Sequence, residues 1–504
     1  MEKTWANFGL DLHLDLPASR VRAGLEAALR DAVRDGRLHP GARLPPSRAL
    51  AADLGIARNS VAEAYGQLVA EGWLTARTGS GTWVAPHRLR RPPGPAAARA
   101  EIAVPRYDLR AGAPDLAAVP RRAWLAAARA ALDAAPDHVL GYPDPRGLPP
   151  LRAALASYLA RARGVSVTAD RIVVCSGFAH GLALICQVLR ARGGTAVALE
   201  QYGPQAHRAI VRAHGLRCLA LPVDGDGAVP HALGRAAAAV LTPAHQFPLG
   251  VTLAPRRRRD FIEWATASGG LVIEDDYDGE FRYDRQPVGA MQALAPDHVV
   301  YAGTASKSLA PGLRLGWLAV PAPLLDEVVA AKEAAGAHAS GLDQLTMARL
   351  LASGGYDRQI RHARLAYRRR RDRLAATVLR HAPGVEVTGI AAGLHAVLRL
   401  PAGRSEAGLV SGAAAHGLAV EGLASYHTGG ASHGPALVIG YGRPAEHAFT
   451  AALARLGAVL AEAAGAPTPG PAAESASASQ SVTPNECPRA AGVARPTSHR
   501  YLII

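Results

Sequence analysis

Residues 303–316 read GTASKSLAPGLRLG, and what Lys307 does within that run decides what most of this chain is. The 504-residue sequence holds 56 Lys plus Arg, yet only Lys3, Lys307 and Lys332 are lysines. A guanidinium stays charged at any biological pH. An amine in a desolvated pocket can lose its proton and condense with an aldehyde to give a Schiff base. One lysine of three has to lie somewhere, and an arginine bias says little alone, so the neighbours of Lys307 carry the argument. The apolar run VVYAGT (299–304) leads into it, and Arg314 lies seven residues beyond.

Working outward, IVVCSG (172–177), AVALE (196–200), AAVLTPA (238–244) and LVIEDD (271–276) are further short apolar runs, each ending in a turn and alternating with helical stretches. The pattern predicts an α/β domain over 107–463, a mostly parallel sheet covered by helices that receives ligands at the strand ends. Chemistry-bearing residues cluster at those ends. Asp275, Asp276 and Tyr277 close one strand. In VCSGFAHG (174–181), Ser176, Gly177, Phe178 and Ala179 form a strand-to-helix turn whose amides suit an anion. Adjacent carboxylates are often a solvated turn, but two acids directly after LVIE point into a site more often.

These motifs resemble fold-type I aminotransferases along the whole of 107–463, which implies a pyridoxal 5′-phosphate (PLP) domain. PLP needs an amine for its aldehyde, an acid for its pyridine nitrogen, a donor for its phenolic oxygen and a cradle for its phosphate. The resemblance assigns the amine to Lys307, the acid to Asp275 with Asp276 as fallback, and the phenol to Tyr277. It assigns the phosphate to Ser176, Gly177, Phe178, Ala179, Thr304, Ser306 and Arg314. GYPDPRGLPPLRAAL (141–155) looks like the family segment in which a tyrosine, here Tyr142, reaches the phosphate of a partner subunit, implying a head-to-tail homodimer. LTPAHQFPLG (241–250) is similar to the loop at the cofactor face and brings in His245 and Gln246. Two departures stand out. The aromatic that often stacks on the cofactor aligns with Pro204, so Tyr202 stacks only if its loop shifts. The strand ALVIGYG (436–442) lacks the usual carboxylate-binding arginine, and nothing in the sequence selects among Arg208, Arg212 and Arg443 as a substitute.

Residues 1–85 read as three helices and a hairpin. Val21, Leu25, Leu29 and Val33 recur at helical spacing, Ser47 suits a helix N-cap, Val61, Tyr65, Leu68 and Val69 share one face of a third helix, and WLTARTGSGTWVA alternates around a Gly-Ser-Gly turn. The stretch from Gly41 to Ala85 is similar to the GntR family's α+β winged helix-turn-helix. That likeness implies a recognition helix presenting Arg58, Asn59 and Ser60 to a major groove, with Arg48 reaching phosphate or a guanine edge and the Gly79-Ser80-Gly81-Thr82 turn approaching a minor groove. Ala57 stands where the family usually has a capping Ser or Thr. The competing reading is an accessory domain whose arginines only solvate its surface.

The order of parts is similar to the MocR-type regulators: winged helix, Pro- and Arg-rich linker (86–106), PLP-type domain (107–463), then a pattern-free tail (464–504) expected to be disordered. That resemblance implies a PLP-dependent, DNA-binding transcriptional regulator. It would sense PLP, an amine or an amino acid through an aldimine at Lys307 and read operator DNA, controlling genes of vitamin B6 or amine metabolism. The alternative is an aminotransferase with a DNA-binding appendage. No apolar run has the length of a membrane span, the N-terminus lacks a signal-like core, and Cys175, Cys186, Cys218 and Cys487 have no metal-type spacing, so a cytoplasmic chain with reduced thiols and no metal is expected. The net charge of +15 favours an anionic partner, but acids and bases nearly balance in 1–85. The arginine-rich run 358–373 reads first as a solvated helix face and second as a non-specific DNA contact.

Overall fold

The computed structural model describes residues 20–77, 80–86, 105–283, 288–429 and 434–465. Gly79 and almost all of the expected linker and tail lie outside the described residues. The chain divides into two compact units, 1–103 and 104–504.

In the smaller unit, α1 (Val21–Arg34) is followed by β1 (Arg43–Leu44), α2 (Ser47–Leu54), α3 (Arg58–Ala70), β2 (Leu74–Arg77) and β3 (Gly81–Val84), with sheet order β1-β3-β2. Leu25, Leu29, Leu50, Val61, Leu68 and Val84 meet in one core, against which Val33 and Val69 pack from its margin. Ser47 proves to be the first helical residue of α2; Pro46 holds the cap position and no side chain caps it. Pro46 fixes its own φ but offers no side-chain acceptor, so the first amides of α2 go without a side-chain cap. The Tyr65 hydroxyl donates to Pro45 O at 3.0 Å, tying α3 to the turn before α2. Arg30 grips Glu71 through two 2.8 Å bonds, joining α1 to the end of α3 and lowering the Glu71 pKa to about 2, chiefly through those hydrogen bonds.

The larger unit opens with β4 (Tyr107–Asp108), α4 (Arg121–Asp133) and α5 (Pro149–Arg163). Next come β5 (Ile172–Cys175), α6 (Phe178–Ala191), β6 (Ala196–Glu200), α7 (Gln205–Ala213) and β7 (Arg217–Leu221), then a small hairpin of β8 (Val223–Asp224) and β9 (Gly227–Ala228). The core strands β10 (Ala238–Leu241), β11 (Leu271–Asp276), β12 (Val299–Thr304) and β13 (Gly316–Ala319) follow, with α8 (Pro255–Ser268) between the first two. Helices α9 (Leu325–Ala334), α10 (Gly341–Ala352) and α11 (Gly355–His381) lead to β14 (Glu386–Thr388), β15 (His395–Arg399), α12 (Glu406–Ala415), β16 (Leu418–Ala419), β17 (Glu421–Gly422), β18 (Ala436–Gly440) and α13 (Glu446–Gly465). The main sheet runs β5-β13-β12-β11-β10-β6-β7, parallel except for β13, which is antiparallel to both its neighbours. A second, antiparallel sheet has the order β14-β15-β18-β17, and β4 pairs with β16.

All six residues of β11 are buried, and the alternation of a strand sends Asp275 and Asp276 to opposite faces. Asp276 takes two bonds from Arg163, at 2.6 and 2.9 Å, and one from the Tyr301 hydroxyl at 2.7 Å. Within the arginine-rich part of α11, Arg370 is buried, bonding Asp115 at 2.7 Å and the carbonyls of Tyr441, Gly442 and Pro444, whereas Arg361, Arg368 and Arg369 face outward. Asp276→Ala strands the Arg163 charge in the interior and is expected to destabilise the full-length chain by about 3–5 kcal/mol in urea unfolding. The double change Arg163→Met with Asp276→Leu should recover most of that loss.

Candidate functional site

A cavity of about 390 Å³ opens at the carboxyl ends of β6, β10, β11 and β12, and Asp275, Tyr277, Thr304, Ser306, Lys307 and Phe178 lie in its wall. The size is that of a small-molecule site. Lys307 follows the last residue of β12 by three positions and donates to Gly112 O at 2.6 Å. Burial pushes its pKa down, partly opposed by Asp275 and Asp278. A half-buried amine of this kind loses its proton more readily than a surface lysine does.

Asp275 points into the same cavity with Oδ1 buried and without a hydrogen-bond partner. Burial raises its pKa well above the carboxylate range, the Lys307 charge opposing and the Asp276 charge adding to the rise. An unpartnered buried carboxyl oxygen costs about 1–3 kcal/mol, so it marks a place where a donor is wanted. Asp276, the fallback, is excluded from that role by its bonds to Arg163 on the other face.

At one end of the cavity, Gly177 caps α6 with φ 97°, a conformation that favours glycine, and the first-turn amides of Phe178 and Ala179 begin the helix. The Ser176 amide is engaged with His180 Nδ1 at 3.1 Å, so its hydroxyl is what remains available. Arg314, in the left-handed region at φ 52°, brings its guanidinium to 3.9 Å from where a Gly177 Cβ would stand. Thr304 Oγ1 accepts from the Ser306 amide at 3.1 Å and lies 2.9 Å from Ser306 Oγ. Glycine at 316 is required by this packing, because a Cβ there would lie 2.7 Å from Gly177 Cα. Together these groups form a cationic and amide-rich anion seat next to the cavity.

His245 is not in the cavity wall. It sits behind Tyr277, its Nδ1 2.8 Å from Asp278 Oδ2 and 3.1 Å from the Tyr277 hydroxyl. His395 does line the cavity and donates from Nε2 to Pro248 O at 3.0 Å; burial lowers its pKa to about 3. Atoms of His245, Asp278 and His395 that could ligate a metal lie within 4.8 Å of one another, but His395 is bonded to Pro248 O, and His245 and Asp278 form a chain that fixes Tyr277. Gln246 is buried away from the cavity and holds Glu200 Oε2 at 3.1 Å.

Tyr142 is 100 % exposed and does not reach the cavity of its own chain. Tyr202 and Pro204 both contribute to the wall, and so do two groups that sequence reasoning missed. Glu200, with its pKa raised to about 7 by burial, is bonded to Thr242 Oγ1 at 2.6 Å. His207, with its pKa lowered to about 3 by burial and by the Arg208 and Lys307 charges, sets its ring 4.7 Å from Phe178. Its place in the first turn of α7, just after β6, is the signal that could have found it. Among the carboxylate-binding candidates, Arg208 is spent on the carbonyls of Gly203, Glu200 and Gln201 and Arg212 is exposed on α7.

In the smaller unit, Arg58 and Asn59 are exposed at the start of α3, Ser60 is half-buried beside them, and Arg48 is exposed at the start of α2. Ser80 and Gly81 are exposed and Thr82 half-buried in the hairpin, which Arg43 braces by donating to Ser80 O at 2.9 Å. No side chain caps α3 at Ala57.

Comparison with known proteins fits both units. Residues 22–84 match the family of bacterial regulatory proteins of the gntR type, and residues 107–422 match aminotransferase class I and II. A pyridoxine biosynthesis transcriptional regulator from Corynebacterium glutamicum, PdxR, is 35% identical, covering 86% of this chain and 94% of its own. The probable rhizopine catabolism regulatory protein MocR of Rhizobium meliloti is 31% identical over 74% of this chain and 79% of its own. Among solved structures, an archaeal alanine:glyoxylate aminotransferase superposes with a TM-score of 0.65 at 26% identity, covering 71% of this chain and 91% of that one.

The raised pKa of Asp275 has a signed consequence. Between about 3.8 and its folded value, the folded chain keeps a proton that the unfolded chain has released, so the carboxyl's contribution to stability falls as pH rises. Asn at this position never ionises. Asp275→Asn is therefore expected to stabilise the ligand-free chain by about 1–3 kcal/mol at pH 7, with the advantage vanishing near pH 4. Thermal unfolding across that pH range checks it.

Proposed function

This chain belongs to the MocR-type transcriptional regulators, which join a gntR-family domain to a class I and II aminotransferase domain, and on that premise we propose that its larger unit holds PLP at Lys307 and reports PLP, or an amine or amino acid reacting with it, to operator DNA read by the smaller unit. The observation that carries the reading is the convergence of a pKa-depressed amine, a buried unpartnered carboxyl oxygen and an anion seat on one cavity.

The residues fit the group. Asp275 Oδ1 lacks the donor that a protonated ring nitrogen would supply. Tyr277, held by the His245–Asp278 pair, offers a fixed hydroxyl to the phenolic oxygen. The amides at Gly177, Phe178 and Ala179, the hydroxyls of Ser176, Thr304 and Ser306, and Arg314 would hold the phosphate. Pro204 cannot stack on the ring; among the aromatics of the wall, His207 and Tyr202 are the candidates for that role. When bound, PLP would supply an aldehyde to an amine. Burial lowers the Lys307 pKa, which favours the neutral amine such chemistry needs.

A homodimer accounts for Tyr142, which is exposed here beside Leu140, with Leu125 and Leu132 on α4 also exposed; a second copy would bury this surface and receive the tyrosine at its phosphate seat. Similarity to a regulator named for pyridoxine biosynthesis favours vitamin B6 genes as targets. Among the described residues no helix is long and apolar enough to cross a membrane. Dedicated transamination fits the chain less well, because Arg208 is occupied, Arg212 is exposed, and Arg443 pairs with Asp108 at 3.2 Å outside the cavity wall.

Borohydride treatment of the PLP-loaded chain should label Lys307 and nothing in Lys307→Ala; an unlabelled Lys307 removes the sensor reading. Asp275→Asn should weaken PLP binding about 10–100-fold, as loss of a charge-assisted hydrogen bond does. On the DNA side, Arg48→Ala and Arg58→Ala should each cost about 1–3 kcal/mol of affinity for the gene's upstream region in a gel-shift titration. Unchanged binding in both would remove the groove assignment.

A further inference from the structure

Neither the cavity nor the smaller unit accounts for the arginine-rich run of α11. One side of that helix is committed to the core through Tyr356, Ile360, Ala363, Tyr367, Leu374 and Val378. Arg370 belongs to the committed side and is spent on Asp115, Glu446 and three carbonyls. At 3.6 residues per turn, Arg358, Arg361, Arg368 and Arg369 fall on the opposite side, within an arc of about 100°. All four are exposed, and so are Arg364 on one flank and His362 on the other.

These charges are unmatched. On other helices, exposed arginines such as Arg34 and Arg192 are paired, with Asp31 and Glu327. Among the described residues no carboxylate pairs with Arg358, Arg361, Arg364, Arg368 or Arg369. Arg358 lends one donor to Ser353 O and Arg364 lends two to Glu280 O, whereas Arg361, Arg368 and Arg369 lend none to the described chain. Of the two acids on α11, Asp357 is taken by Arg161 at 2.8 Å, and Asp372 stands exposed on the arginine face. Spacings of three and four residues set Arg358 beside Arg361, Arg361 beside Arg364 and Arg364 beside Arg368, and like charges at such spacings weaken a helix. The helix is locked by its other side, so the repulsion stays in place. An external polyanion would relieve it.

We propose that this face of α11 is a second DNA contact, one that holds the phosphate backbone beside the site read by the smaller unit and recognises no bases. From Arg358 to Arg369 the helix rises about 16 Å, a length that spans about five phosphates of one strand. Guanidinium groups suit those phosphates because they can bind paired oxygens. DNA is favoured over RNA or an acidic protein because the smaller unit matches the gntR family of bacterial regulatory proteins. Once a duplex is held there, the larger unit meets it at the effective concentration set by the tether between them. The proposal rests on that DNA-binding reading and extends it. Arg48, Arg58 and Asn59 supply discrimination, and α11 supplies salt-dependent affinity.

The test titrates the full-length chain with two duplexes from the gene's upstream region over a range of salt, read by fluorescence anisotropy. The short duplex is trimmed to the minimum that still responds to Arg58→Ala; the long one extends several helical turns past it. The triple variant Arg361→Gln, Arg368→Gln, Arg369→Gln should bind the short duplex as the wild type does. On the long duplex its affinity should fall about tenfold or more at low salt, and the slope of log affinity against log salt should shrink by about 2 to 3. Asp372→Asn removes the acid of this face and should raise affinity for the long duplex. A control of equal charge loss on β7 and α8, Arg217→Gln with Arg256→Gln and Arg259→Gln, should leave the slope unchanged. An unaltered slope in the triple variant, or an equal loss on both duplexes or in the control, would overturn the proposal. If the triple variant fails to fold, Arg361→Gln and Arg368→Gln singly decide it, each lowering the slope by about 0.9. The two DNA readings fail separately. An inert α11 with Arg58→Ala still harmful removes this contact alone, whereas a harmless Arg58→Ala with the α11 effect intact removes the groove assignment alone.

Discussion

The larger unit is organised by one carboxyl group that strand geometry forces into a cavity without a partner. Residues on β11 alternate between faces, and the pairing of Asp276 with Arg163 and Tyr301 fixes which face is which. Slipping the strand by one residue would expose the Arg163 partner to the cavity and bury Asp275 against α5, leaving a guanidinium and a carboxylate each in the wrong medium. Glu274, on the same side as Asp276, takes backbone amides of Met291 and Gln292 and adds to the lock. The strained group is thus Asp275, and the structure tolerates it because its neighbours on the strand are fully satisfied. Buried unpaired polar groups of this kind cluster where a ligand completes the bonding.

Close backbone approach is the second organising feature. The anion seat and the end of β18 are both places where two chain segments pass with no room for a side chain, at Gly177 against Gly316 and at Gly440 and Gly442 against residues 110–113. The glycines at the end of ALVIGYG let segment 105–113 lie on the strand end.

The parts legible in the sequence were those set by local pattern. AVALE, LVIEDD and VVYAGT coincide with β6, β11 and β12, because short apolar runs bounded by turns have few other solutions in an α/β chain. Lys307, Asp275 and Tyr277 were readable for the same reason, each standing at or just past a strand end. The antiparallel insertion of β13 was not readable, since pairing direction depends on how a connection crosses the sheet. His207 and Glu200 enter the cavity through the packing of α7 and β10 against β6, and the Arg443–Asp108 contact joins residues more than 300 positions apart. The ambiguity between Asp275 and Asp276 was resolvable only through Arg163, far away in α5. Ser47 missed its expected cap role because the helix starts one residue earlier, with Pro46 at the cap position.

Charge placement bears on how the two units divide the work. The excess of +15 does not mark the smaller unit, where Arg22 and Arg30 are consumed by Glu63 and Glu71 in holding α1 on α3. What remains exposed on its helix starts is a small set, Arg48, Arg58 and Asn59, suited to a few directed contacts more than to a broad attraction for phosphate. In the larger unit Arg163, Arg208 and Arg370 are buried and serve as multi-toothed clamps on carbonyls and carboxylates. A ligand can shift the balance between two arrangements of such a chain only through contacts that differ between them. At the cavity, a contact that an amine-engaging ligand must break is that of Lys307 on Gly112 O.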